Sequence, residues 1–319
     1  MAVVSVVITT YERPQYLPGA IETALAQTYD DIEIVVVDDG SGTDYAADIV
    51  ANYDGARLVA HEENCGPAAA LNTGIDASDG EFVAFLDDDD RWQQTKLQRQ
   101  IGALEARPEA GLASCLMISV RPDGSIITCQ GSAPDGDLAD LILVDNVIGS
   151  PSRVLVRREA LAEYRFDESL PSKHDWDFYL RLCQEWDVVA VSEPLYIRLY
   201  HESMSSDPRM VEQNKRAVID KHEANIRDRN LFDEAMAVYH TRVGRKSLEA
   251  GNRRLAISHL KRANQLEATA KRVVLLGIAT FPSAVFSTVL RMRRHAAIRR
   301  YGCPDPESLA QTVEGYPPG

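Results

Sequence analysis

An α/β fold, built on a mostly parallel, Rossmann-like central sheet and followed by an α-helical C-terminal region, is what this 319-residue sequence predicts. Its first half alternates short Val- and Ile-rich runs with segments of helical periodicity. Those runs are apolar on both sides, as in sheets covered by helices on either face. From about Asp207 onward no segment reads as a strand.

The elements follow in order. Val3–Thr9 is a β-branched run, and Pro14 introduces the apolar-periodic segment Tyr16–Gln27. Ile32–Asp38 is the second apolar run. Thr43 or Asp44 stands where a helix through Tyr53 needs its cap, and Arg57–Ala60 reads as a short strand. Gly66-Pro67 opens a helix through Ala77, with proline in the first turn. Phe82–Leu86 completes the pattern, and Gln93–Arg107 is a long helix ending before Pro108. Leu112–Val120 and Ile126–Cys129 flank an Asp123-Gly124 turn, which predicts a hairpin. Val154–Arg157 is a further strand. His174–Trp186 is an amphipathic helix with Trp176, Tyr179, Leu180 and Cys183 on its apolar side. A strand Leu195–Leu199, after Pro194, closes the series, so the first domain spans 1–205.

In the region 206–319, Val211–Arg229 is helical, and Phe232–Ala250 with Arg253–Ala268 forms a helix–turn–helix about Gly251-Asn252. Val243, Gly244, Gly251, Ala256, Leu260 and Ala263 fall at the spacing of one tetratricopeptide repeat, a reading that stands beside an ordinary helical hairpin over 232–268. A lone repeat does not bury its own face, so it packs on the rest of the chain or on a partner.

Charge is unevenly placed. Residues 1–240 hold 20 Lys and Arg against 43 Asp and Glu, whereas 241–300 hold 14 against 2. So acidic a body argues against nucleic acid as the partner of the first part, and its wealth of Asp with few Lys is, as a compositional hint only, like that of proteins from salt-rich cytoplasm. Within the basic part, Val273–Leu290 is an uncharged stretch between Lys271-Arg272 and Arg291, diluted by polar residues, in which Pro282 should kink any helix. Basic flanks on both sides suit a segment, 271–300, lying on the anionic cytoplasmic face of a membrane; docking on the soluble body and a true span are the other readings. The five cysteines include no CxxC pair, which fits a reducing compartment and gives no support for a zinc site. The chain opens directly on a strand without a basic leader, so a cytoplasmic location is expected.

The chemistry concentrates at Asp87, Asp88, Asp89 and Asp90, at the end of the apolar run Glu81–Leu86. Four carboxylates there repel one another unless a cation sits among them. A solvated acidic turn is the plain alternative, but loops at the carboxyl ends of strands in open α/β sheets are where ligands bind. A hydroxyl and an aromatic face just past the first strand, Thr9 and Tyr11, suit a base or ribose. Asp39, at the end of the second strand, is a hydrogen-bond acceptor for a uracil imide or ribose hydroxyl, or a cap for the next turn.

Five segments together resemble family 2 glycosyltransferases, inverting enzymes of the nucleotide-sugar-binding GT-A fold. They are Val4–Tyr11, Ile34–Ser41, Asn64–Gly66 with Leu71–Gly74, Phe85–Asp90, and His174–Asp177 leading into Leu180-Arg181-Leu182. The resemblance covers roughly residues 3–205. It implies a nucleoside-diphosphate sugar donor, foremost a UDP-sugar, and a sugar or lipid-linked glycan acceptor. It places Thr9, Tyr11 and Asp39 in the nucleotide pocket, and matches Asp87–Asp89 to the family's DXD element. Asp89 is then the metal ligand, Asp87 and Asp88 face ribose or the metal's waters, and Asp90 and Arg91 only begin the next turn. A divalent cation, Mn²⁺ or Mg²⁺, would neutralise the leaving diphosphate.

By the same resemblance Asp175 is the base that takes the acceptor's proton. Related enzymes carry Glu-Asp at this point, and His174 stands in place of that Glu. Asp177 points to another face. His201 matches a late element near pyrophosphate or metal; Arg13 and Arg198 are candidate phosphate contacts, and Ser203–Arg209 reads as a closing loop. Two rival functions stay open: a polyprenyl-phosphate sugar synthase of the same fold, whose anionic acceptor needs no base, and a non-catalytic scaffold that uses the helical hairpin.

Overall fold

In the computed structural model, which describes residues 3–121, 123–200, 207–281, 288, 289 and 292, the first strand, β1 (Val4–Thr10), is buried along nearly its whole length. A Val/Ile run without polar alternation has no solvent face, so it takes a central place between helices. β1 pairs in parallel with β2 (Ile32–Asp38). α1 (Leu17–Leu25) makes that crossover. α2 (Tyr45–Val50) leads to β3 (Ala56–Ala60), parallel to β2. α3 (Pro67–Asp76) then returns the chain to β4 (Phe82–Asp87), parallel to β1 on its other side. α3 packs so closely on β1 that a Cβ on Gly74 would fall 2.1 Å from Val7 Cγ1, so glycine is required there.

Past β4 the sheet turns mixed. β5 (Asp90–Trp92), α4 (Lys96–Glu105), β6 (Ala110–Val120) and β7 (Ile126–Gln130) come next. After α5 (Ala139–Val144) follow β8 (Val154–Arg157), α6 (His174–Leu182) and β9 (Asp187–Leu199). The strand order is β3-β2-β1-β4-β8-β6-β9-β5, with β7 on β6. β8 runs antiparallel to β4 and β6, β9 parallel to β6, and β5 antiparallel to β9. The β6–β7 hairpin turns at Gly124 (φ 78°), as the Asp123-Gly124 pair predicts.

Some expectations change. β9 starts at Asp187, well before the expected Leu195, because Pro194 falls where the β6–β9 register shifts and a bulge tolerates a residue without an N–H. α6 stops at Leu182, short of Trp186. Asp44 occupies the N-cap of α2 but makes no side-chain cap bond.

The chain divides into two compact units, residues up to 138 with 148–200, and residues 139–147 with 207–281. In the second, the expected single helix over Val211–Arg229 is two, α7 (Pro208–Lys221) and α8 (Glu223–Asp228), which meet at His222. α9 (Phe232–Glu249) and α10 (Arg253–Leu266) form the hairpin, turning at Gly251 (φ 75°) with Asn252 capping α10. Asp145, just after α5, accepts from Lys215 (2.7 Å) and Arg242 (2.8 Å). Burial pushes that carboxyl up, yet the two cations hold it below the usual carboxylate range. α11 (Ala270–Thr280) leaves Val273 and Val274 exposed, with Phe281 after it. No described helix is long and apolar enough to cross a membrane. Most of the expected interface segment beyond 281, Pro282 included, lies outside the described residues.

Candidate active site

Parallel pairing brings the ends of β1, β2 and β4 to one edge of the sheet. Thr9 registers with Val37 on one side and Asp87 on the other, and Thr10 with Asp38. Thr9, Tyr11, Asp39 and the acidic row therefore share this edge, the place where open α/β sheets bind ligands. Tyr11 is 40% exposed and open to a ligand.

The four aspartates separate by direction. Carboxylate oxygens of Asp87, Asp89 and Asp90 lie within 4.8 Å of one another. Asp88 turns elsewhere: it accepts from Thr10 Oγ1 at 2.7 Å and from Arg13 at 3.1 Å. Arg13 also donates to Asp89 at 3.1 Å, so it meets carboxylates within the chain itself. Burial, and then the charges of Asp89 and Asp88, push Asp87 up to about 7. Burial and Asp89 raise Asp88 to about 6, with Arg13 and Thr10 pulling the other way. Crowded anions of this kind are relieved by a cation, and an all-oxygen set suits Mg²⁺ or Mn²⁺.

Asp90 is not a turn residue. It opens β5, is buried, and takes hydrogen bonds from Ser152 Oγ and Tyr196 Oη, both at 2.7 Å and both on Oδ2. Burial, then Asp89 and Asp87, raise it well above the usual range. Its other oxygen is thus left for the acidic cluster. Arg91 anchors the segment from behind, donating to the carbonyls of Asp88 (3.0 Å), Asp90 (2.7 Å) and Tyr16 (3.2 Å). A cation directly after four acids signalled this role. Nothing in the sequence signalled Ser152 or Tyr196, which arrive from β8's approach and from β9.

Asp39 is buried and takes hydrogen bonds from the backbone N–H groups of Cys65 and Gly66, each at 2.9 Å. His61 Nδ1 pairs with the same carboxylate at 2.9 Å, and its Nε2 with Thr73 Oγ1 at 2.8 Å. Three of roughly four acceptor sites are used. Gly40 makes this junction: at φ 75°, a Cβ on it would sit 2.2 Å from the Glu63 carbonyl carbon.

Asp175 lies in the first turn of α6, behind the left-handed N-cap Lys173 (φ 64°). α6 is fixed by an aromatic seam and a clamp. Phe166 stacks on Phe178 with centroids 4.4 Å apart, and meets His174 and Phe85 edge-on at 5.8 and 5.4 Å. Asn72 of α3 bonds both backbone groups of Phe166, at 2.9 Å each, and Glu168 at 2.8 Å. Asp177 is fully buried in an i,i+4 ion pair with Arg181 at 2.8 Å, which removes it as a base candidate. Burial lowers His174, whose Nδ1 has no hydrogen-bond partner among the described residues. His201 lies outside the described residues.

The model of the family described as glycosyl transferase family 2 matches residues 5–165, just over half the chain. The chain belongs to that family. An uncharacterised glycosyltransferase of Nostoc is 40% identical over 147 residues, covering 44% of this chain and 45% of that protein. The amylovoran biosynthesis glycosyltransferase AmsB of Erwinia amylovora is 29% identical, over 60% of this chain and 67% of the relative. The chain thus spans under half of the Nostoc relative's length. Among solved structures, the mannosyltransferase PcManGT from Pyrobaculum calidifontis, in complex with GDP-Man and Mn²⁺, superposes with a TM-score of 0.59 at 18% identity, over 94% of this chain and 87% of that one. S. aureus TarS 1–349 with UDP-GlcNAc gives 0.56 at 20% identity, over 98% and 91%. These likenesses show the GT-A fold of this family 2 member.

Proposed function

We propose that this family 2 chain is an inverting glycosyltransferase moving a sugar from a nucleoside-diphosphate donor, first of all a UDP-sugar, to a hydroxyl acceptor in polysaccharide or lipid-linked glycan assembly. One observation carries the reading: carboxylate oxygens of Asp87, Asp89 and Asp90 gather within 4.8 Å of one another at the sheet edge that also holds Thr9 and the end of β2. Names among the relatives, amylovoran and teichuronic acid biosynthesis, support the product class.

In this reading Asp175 accepts the proton of the acceptor hydroxyl as its oxygen attacks the anomeric carbon opposite the leaving group. Asp39 accepts from the base or ribose, Thr9 and Tyr11 line the same pocket, and Asp88, held by Thr10 and Arg13, faces the ribose side. Asp87, Asp89 and Asp90 fit a hard divalent cation, and His201 is a further candidate ligand. Such an ion, Mn²⁺ or Mg²⁺, supplies charge neutralisation at the leaving diphosphate.

Asp175→Asn tests the base. Turnover should fall about 10²–10⁴-fold while UDP affinity is kept. Near-wild-type turnover would remove Asp175 from this role and favour an acceptor that is already anionic. Peripheral contact with the cytoplasmic face of a membrane belongs to the same reading, supported by the exposed Val273, Val274 and Phe281 beside Lys271. Co-sedimentation with anionic vesicles is expected, and recovery wholly in the supernatant would count against it.

A further inference from the structure

We infer that Asp39, His61 and Cys65 form a second metal site, for a zinc-class divalent cation, which shares Asp39 with the nucleotide pocket and therefore excludes the nucleotide. The exclusion rests on the placement of Asp39 proposed above; the metal site does not.

One ligand atom from each of the three residues lies within 4.8 Å of the others. The set combines a carboxylate oxygen, an imidazole nitrogen and a sulfur, a borderline-soft set unlike the all-oxygen group at Asp87, Asp89 and Asp90. Two hardness classes thus stand on one sheet edge. His61 Nδ1 and Asp39 Oδ1 are 2.9 Å apart, a hydrogen-bonded pair that has to open to about 3.4 Å to hold a tetrahedral ion at about 2.1 Å from each. Thr73 Oγ1, 2.8 Å from Nε2, supplies the outer hydrogen bond that orients a metal-ligating imidazole.

The site is organised without an ion. Asp39 already binds the N–H of Cys65, so the thiol's own backbone is tied to another ligand of the set. Access is open as well. Cys65 is exposed, on the wall of a pocket of about 490 Å³ lined with His61, Glu62 and Glu63. That leaves room for water or a glutamate in the fourth position of a tetrahedral site.

Proton accounting closes. The thiol releases its proton to water on coordination. The imidazole moves its proton from Nδ1 to Nε2, where it is donated to Thr73 Oγ1. One proton leaves per ion, and no electron is transferred.

The test uses the full chain with saturating Mg²⁺ on the acidic cluster, titrated with Co²⁺ and then Zn²⁺. Expected are one Co²⁺ per chain with a sulfur-to-cobalt charge-transfer band, and its displacement by Zn²⁺. The band should vanish in Cys65→Ser, persist in Asp89→Ala, and need about tenfold more Co²⁺ in Thr73→Val. Absence of the band, or its survival in Cys65→Ser, overturns the site. Saturating Zn²⁺ should also weaken UDP binding tenfold or more in wild type, and not in Cys65→Ser. If the band forms while UDP affinity is unchanged, sharing of Asp39 is overturned. Full UDP affinity in Asp39→Asn would then trace that failure to the nucleotide assignment and leave the metal site standing.

Discussion

The two strands that flank β1 in the sheet, β2 and β4, both end in aspartates, and the chain treats them in opposite ways. At the end of β2, Asp39 is surrounded by donors: two backbone N–H groups and a histidine. At the end of β4, carboxylate oxygens of Asp87, Asp89 and Asp90 lie within 4.8 Å of one another, and Arg13 pairs with Asp88 and Asp89. One carboxylate is satisfied by the protein itself. The other group is left with a charge surplus that a proton or an added cation relieves. Topology supplied both with the same edge, so the difference lies in what the adjoining loops bring.

That contrast can be tested at several strengths. Asp89→Ala should cost most: removing a candidate cation ligand should lower turnover about 10²–10³-fold and abolish the metal dependence of UDP affinity, read by titration with and without Mn²⁺. Metal removal comes next. Mg²⁺ or Mn²⁺ at about 100 times its Kd should stabilise the wild type by about 2.7 kcal/mol in thermal unfolding, and the Asp89→Ala variant should not respond. Asp39→Asn should destabilise by about 1–3 kcal/mol, because its amide would direct a donor at N–H groups that need an acceptor. Equal melting of variant and wild type would show that Asp39 is not held as described.

The smallest effect has the opposite sign. Asp87→Asn should raise the melting temperature of metal-free protein, since it removes one member of a crowded anion group. pH gives the same comparison. Asp87, at about 7, and Asp88, at about 6, are raised above the usual carboxylate range, so the folded state holds more protons than the unfolded one between roughly pH 4 and 7. Metal-free stability should therefore fall as pH rises through that window, and saturating Mg²⁺ should flatten the slope. A slope that survives in Asp87→Asn with Mg²⁺ bound would place its source elsewhere.

Strand and helix identities were legible because buried parallel strands need unbroken apolar runs, as in Val4–Thr10 and Ile32–Asp38. The hairpin at Asp123-Gly124 was legible because turn chemistry is local. The true start of β9 was not, since Pro194 reads as a stop until the register shift beside it is seen. Segment 139–147 gave no sign of grouping with helices beyond residue 207, because that depends on Asp145 meeting Lys215 and Arg242.

By itself the sequence determined the α/β class, the placing of Thr9, Tyr11, Asp39 and the acidic row at strand ends, and the order of motifs that marks family 2. These follow from periodicity and from strand ends sharing an edge, which are properties of neighbours in the chain. Only the tertiary structure decided what each carboxylate does. Asp90 left the turn for β5 because Ser152 and Tyr196, 62 and 106 residues away, donate to it. Cys65, which composition gave no reason to join to any metal, came beside His61 and Asp39 because the loop after β3 folds back onto the end of β2. Charge and coordination act over a few ångströms, and such distances are set by packing between distant segments.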